Sequence, residues 1–117
     1  MNDLGAMRLS NGRHELIYRD KDGKEISLER FIELFEDMQY RVIGRTRVGS
    51  FLVSTVWLGI PHPGGLPFAL NRYFESMTFD VEGNEHTMQR YETLGEAKLG
   101  HEEMVKAYET GLAYEEG

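Results

Sequence analysis

The sequence predicts an α+β fold: a single domain in which an antiparallel sheet of about five to six strands packs against two α-helices, in the order ββαββββα. Three observations carry this. Short apolar or alternating runs are separated by tight glycine turns, the pattern of sequential hairpins. Two other stretches repeat apolar residues at helical spacing. The length of 117 residues fits one domain.

Residues 1–12 are polar and glycine-containing and predict a loose N-terminal segment, with the domain over 13–112 and an acidic tail over 113–117. His14-Glu-Leu-Ile-Tyr18 is strand-like, and Lys24–Ile26 is its short return strand. Between them, Asp22-Gly23 favours a hairpin turn because that turn needs positive φ. Ser27 is placed as an N-cap, with Glu29 in the first turn, where the helix dipole favours an acid. Leu28, Phe31, Ile32, Phe35 and Met38 then predict an amphipathic helix of about three turns, with Glu29, Glu33, Glu36 and Asp37 on its solvated face.

Tyr40 to Val48 is expected as a strand, joined through Gly49-Ser50 to Phe51–Ile60. The latter is apolar or small on both alternating faces and predicts a central strand buried on both sides. It runs into Pro61-His-Pro-Gly-Gly-Leu-Pro67, which holds all three prolines. Phe68 to Val81 is read as a long strand with a bend near Asn71-Arg72, Glu82–Glu85 as a turn, and His86–Tyr91 as the last strand. Thr93 and Glu96 make a capping box. Leu94, Ala97, His101, Met104, Val105, Tyr108 and Leu112 trace the inward stripe of a C-terminal helix.

Composition narrows the function. The net charge of −7 is uneven: residues 1–81 hold 10 basic and 11 acidic groups, and residues 82–117 hold 3 and 9. An acidic chain repels the phosphate backbone, which argues against general nucleic-acid binding. The acidic end is either a solvated helix face or a surface for a basic partner. There is no cysteine, so no disulfide framework or thiolate metal site exists. No apolar run reaches ~18 residues, and the N-terminus lacks a basic start and an apolar core, so a cytoplasmic protein is expected.

Six residues are candidates for a site. His62, beside Gly64 and Gly65, is able to donate to a phosphate near neutral pH, and the glycines permit close backbone approach. Trp57 lies mid-strand, either as core or as the wall of a pocket. Glu75 interrupts an apolar strand and needs a partner, for which Arg90 on the next strand is the natural choice. That pair either fixes strand register or anchors a ligand anion. These residues are expected to converge at one end of the sheet. Arg41, Arg45 and Arg47 offer phosphate contacts or, more simply, solvated edge-strand charge. His101 falls on an apolar stripe and is expected as a satisfied boundary histidine. No metal-ligand spacing, phosphate-binding loop or nucleophile elbow is present, so no catalytic residue, metal or cofactor is assigned.

The segments Val53-Ser-Thr-Val-Trp-Leu-Gly59, Phe74-Glu-Ser-Met-Thr-Phe79, Arg90-Tyr-Glu-Thr93 and Glu96-Ala-Lys-Leu-Gly-His-Glu-Glu-Met-Val105 resemble a family of small proteins of tailed bacteriophages and prophages. The similarity covers residues 48–106 and departs where Pro61 stands before His62, a place at which the family often has Asp. The resemblance implies a phage accessory protein that acts on host machinery or host defence in the host cytoplasm. It implies no reaction. The expected function is non-enzymatic binding or sequestration of a small anionic, nucleotide-like host molecule. The alternatives are a module that inhibits a host protein through an acidic surface, and a small hydrolase or lyase using His62 and Glu75. Aromatic density and the arginine-bearing hairpin suggest a homo-oligomer.

Overall fold

A computed structural model describes residues 3–4, 7–10, 13–60 and 72–111. Three short strands come first, β1 (Asp3–Leu4), β2 (Met7–Ser10) and β3 (Arg13–Leu16), paired in order as a small antiparallel sheet. A two-stranded ladder of β4 (Tyr18–Arg19) and β5 (Glu25–Ile26) follows. Then come α1 (Leu28–Phe35), α2 (Met38–Arg41), β6 (Val42–Val48), β7 (Phe51–Trp57), β8 (Phe74–Phe79), β9 (Glu85–Tyr91) and α3 (Leu94–Glu109). The strands β6-β7-β8-β9 form one antiparallel sheet in sequence order. The α+β class is the one the sequence predicts and the order broadly matches, but among the described residues the main sheet has four strands rather than five to six, and the strand expected over His14–Tyr18 is split between β3, which pairs with β2, and β4, which pairs with β5. Among the described residues, no helix is long and apolar enough to cross a membrane.

Local chemistry explains the element ends. Ser27 Oγ accepts from the Arg30 N–H at 3.1 Å, and Thr93 Oγ1 accepts from the Glu96 N–H at 3.1 Å, so both caps sit where the sequence places them. One turn is used twice. Asp20 Oδ1 accepts from the N–H groups of Asp22 and Lys24, and Asp80 Oδ1 accepts from those of Glu82 and Asn84. In each case the fourth residue is a glycine at φ 85°. The hydrogen bonds from His86 and from backbone amides hold the Asp80 carboxyl at about 2, well below its ordinary 3.8.

Several expectations need correction. Residues 3–10, expected to be loose, carry β1 and β2. The predicted three-turn helix stops at Phe35, because Asp37 caps a new turn, accepting from the N–H groups of Gln39 and Tyr40, and strand β6 begins only at Val42. Strand β7 ends at Trp57 and is buried on one face, not both. Its neighbour β8 covers only Phe74–Phe79, and residues 61–71 lie outside the described residues.

That buried face is set by register. Val53, Thr55 and Trp57 pair with Thr78, Ser76 and Phe74, and all six side chains are buried on one side of the sheet. α3 crosses this side with Ala97, Gly100 and Tyr108 buried. The approach requires small residues: a Cβ on Gly100 would stand 2.2 Å from the Tyr91 ring, and one on Gly44 would stand 3.0 Å from the His101 ring. The end of the same side, around Trp57, Phe74 and Tyr91, is packed by Leu34 and Phe31 of α1. β6 is an edge strand, and its Arg45 and Arg47 are exposed.

Candidate functional site

Where the β4–β5 turn approaches the start of α3, the surface opens into a cavity of about 460 Å³. Arg19 and Lys21 line one wall, Tyr73 and Phe74 the floor, and Leu94 and Gly95 the other wall. The basic wall is held through its backbone. Arg19 donates its N–H to Gly59 O at 3.1 Å, while its carbonyl accepts from the Trp57 indole at 2.9 Å. Tyr73 Oη donates to Ile17 O at 2.7 Å, and the Lys21 N–H donates to Tyr40 Oη at 2.8 Å. The rigid sheet thus positions a short, polar segment.

The cations are placed over rings. The Arg19 guanidinium lies 5.1 Å from the Tyr73 ring centroid, and the Lys21 ammonium 4.3 Å from that of Tyr40. Neither takes part in an ion pair among the described residues. Asp20, Asp22 and Glu92 also border the cavity. One of the Asp20 oxygens is committed to the turn amides. On the far wall, Thr93 Oγ1 serves the Glu96 N–H, which leaves those of Leu94 and Gly95 without a partner inside the helix. A Cβ on Gly95 would meet nothing within 4 Å, so its backbone is open to approach. The lining thus combines two cations and the first residues of α3 with three carboxylates, over two buried aromatic residues. Among the described residues, no group of three or more acidic or histidine side chains is placed to hold a metal.

Of the residues singled out from the sequence, Trp57 and the Glu75–Arg90 pair are described, and they do not share a face of the sheet. Glu75 and Arg90 are register partners, and Arg90 Nε donates to Glu75 Oε2 at 3.1 Å, as their strand positions predict. Trp57, however, pairs with Phe74, while Glu75 pairs with Val56. Side chains alternate along a strand, so the indole and the carboxylate occupy opposite faces of the sheet. The expected shared hollow between them is therefore corrected. Trp57 is fully buried and supports the cavity through Arg19 rather than lining it. His62, Gly64 and Gly65 lie outside the described residues.

His101 is the satisfied boundary histidine the sequence suggests, but the buried hydroxyls that satisfy it lie beyond that expectation. Thr55, Ser76 and Thr78 are completely buried. The His101 ring bonds Thr55 through Nδ1 at 2.7 Å and Thr46 through Nε2 at 2.9 Å, and Thr55 continues to Ser76. Tyr108 Oη meets both Thr78 and Thr87. Burial pushes the His101 pKa below its ordinary value, with the Glu102 charge acting in the opposite sense. The ring is a packed, fully bonded strut between α3 and the sheet. The sequence signal for it is hydroxyl side chains at alternate positions of a buried strand, facing His and Tyr on a helix stripe. A smaller hollow of about 280 Å³ lies between β9 and α3, beside Gln89 and Glu103, and has no cation in its lining.

No family model matches the chain, and neither a curated protein nor a solved structure is found to match it.

Proposed function

We propose that this protein binds a small anionic molecule of nucleotide size in the cavity between the β4–β5 turn and the first turn of α3, without transforming it. One observation carries the reading: Arg19 and Lys21, in no ion pair among the described residues, and the first residues of α3 line a single cavity of about 460 Å³, which Asp20, Asp22 and Glu92 also border. That volume lies within the ~300–1,000 Å³ usual for small-molecule sites. Positive side chains and N-terminal helix amides both favour phosphate or carboxylate groups. The buried Tyr73 ring lies under the Arg19 guanidinium at 5.1 Å and helps hold that cation at the cavity. In the setting of a phage accessory protein, such binding sequesters a host nucleotide signal.

Calorimetry against inorganic phosphate, ADP, a cyclic mononucleotide and ADP-ribose tests the proposal. At least one nucleotide is expected to bind more tightly than phosphate, with affinity falling as salt rises. The double change Arg19→Ala/Lys21→Ala should weaken it roughly tenfold or more, ~1.4 kcal/mol. The ligand should be recovered intact. No heat from any of the four, or equal binding by the double variant, contradicts the proposal.

A further inference from the structure

α1 presents an apolar ridge to solvent. Leu28, Ile32, Phe35 and, one turn on, Met38 are 49%, 46%, 38% and 56% exposed, although the helical periodicity of the sequence would turn them inward. Arg41 caps the far end of the ridge, its guanidinium 4.0 Å from the Phe35 ring and its Nη1 donating to Met38 Sδ at 3.8 Å, so Leu28 and Ile32 are its open part. Only Leu34 of this helix is buried. The other large apolar residues exposed among the described positions, such as Val81, Met88 and Leu99, are on separate elements and form no such row. Solvent-exposed apolar rows of this kind mark interaction surfaces.

The chemistry beside the ridge selects the partner. At 100° per residue, Glu29, Glu33 and Glu36 form a second row directly alongside Leu28, Ile32 and Phe35. All three glutamates are exposed, and Glu33 pairs with Arg30 of the same helix at 2.8 Å. A helix that docks on membranes carries Lys and Arg beside its apolar face, so this acidic row argues against an anionic lipid surface. A second copy of a chain with net charge −7 is opposed by like-charge repulsion. Leu28 to Phe35 spans about two turns, which suits the i, i+3/i+4, i+7 anchors of another helix. We infer that the α1 ridge docks a basic amphipathic helix of a partner protein, its apolar face on Leu28, Ile32 and Phe35 and its Lys or Arg residues against Glu29, Glu33 and Glu36. This surface is separate from the anion cavity, and it stands or falls independently.

The test is fluorescence anisotropy on the full chain with a synthetic Leu/Lys amphipathic peptide of about 14 residues and its Leu/Glu counterpart. The Leu/Lys peptide is expected to bind roughly tenfold or more tightly than the Leu/Glu peptide. Ile32→Ser should cost about tenfold, and Glu33→Lys/Glu36→Lys should reverse the preference between the peptides. The charge-matched control Glu102→Lys/Glu103→Lys, on α3, should leave the preference for the Leu/Lys peptide unreversed and its affinity within about threefold. Circular dichroism confirms that each variant is folded. Indifference to Ile32→Ser, or an equal loss in the α3 control, would reduce the binding to net-charge attraction and overturn the inference. So would a concentration-dependent dimer that Ile32→Ser abolishes, because the ridge would then belong to a second copy.

Discussion

α1 and α3 meet the rest of the molecule on different terms. In sequence α1 has the cleaner apolar stripe, while that of α3 is interrupted by Gly100 and His101. In the fold the ranking reverses: α3 buries Ala97, Gly100 and Tyr108, and α1 buries only Leu34. Periodicity reports that a helix has two faces, but not what covers them. What seats α3 is local fit. Gly100 admits the Tyr91 ring, Gly44 admits the His101 ring, and the hydroxyls of the sheet bond the polar groups that the helix brings. α1 is seated through Phe31, which stacks on Tyr18 of β4 at 4.9 Å, packs on Trp57 at 5.9 Å and is approached closely by Gly59, and the rest of its stripe stays exposed.

The largest expected effect breaks the α3 contact. Gly100→Ala forces the Tyr91 ring to move and should cost about 2–3 kcal/mol in urea or guanidinium unfolding. The companion change Gly95→Ala, whose Cβ meets nothing, should be neutral or stabilising by up to ~1 kcal/mol. If both glycines respond alike, close approach is not what seats the helix.

Next is the polar strut. Thr55→Val removes a hydroxyl that bonds both His101 and Ser76, and should cost about 1–3 kcal/mol, read as a shift in denaturant midpoint with unchanged slope. The His101 pKa is lowered in the fold, so the unfolded chain binds a proton more readily and stability rises with pH through that window. The histidine contribution is complete above its ordinary value of 6.5 and is lost as pH falls below it. The stability difference between wild type and His101→Gln should therefore shrink from pH 7.5 to pH 5. A difference that is constant or grows on acidification would contradict this.

The smallest effect is expected on α1. Ile32→Ser, at an exposed position, should change unfolding stability by no more than about 0.5 kcal/mol. A loss comparable to that of Gly100→Ala would mean that the ridge is covered after all.

Legibility in the sequence follows range. Ser27, Thr93 and Asp22-Gly23 are local devices, decided by residues within four positions, and each is found where expected, while the turn expected at Glu82–Glu85 starts two residues earlier, at Asp80, and gives way to β9 at Glu85. The Glu75–Arg90 pairing follows from one short turn. By contrast, whether Trp57 shares a face with Glu75 depends on the register across residues 58–73, and one residue of slip inverts every side chain. The strands β1 and β2 are two and four residues long, so the alternation in Met7-Arg-Leu-Ser10 is too brief to announce a strand. The cavity was hidden for the same reason: Arg19 and Gly95 each sit in a recognisable local motif, but only the tertiary fold sets those motifs face to face.

Amide chemical-shift mapping during titration with ADP-ribose is the most direct measurement of whether the cavity is the binding site. The largest shifts should fall on Leu94 and Gly95, with smaller ones at Arg19 and Lys21, and should vanish in Arg19→Ala/Lys21→Ala. Shifts confined to Glu75, Arg90 or the segment around His62, with Leu94 and Gly95 unmoved, would contradict it.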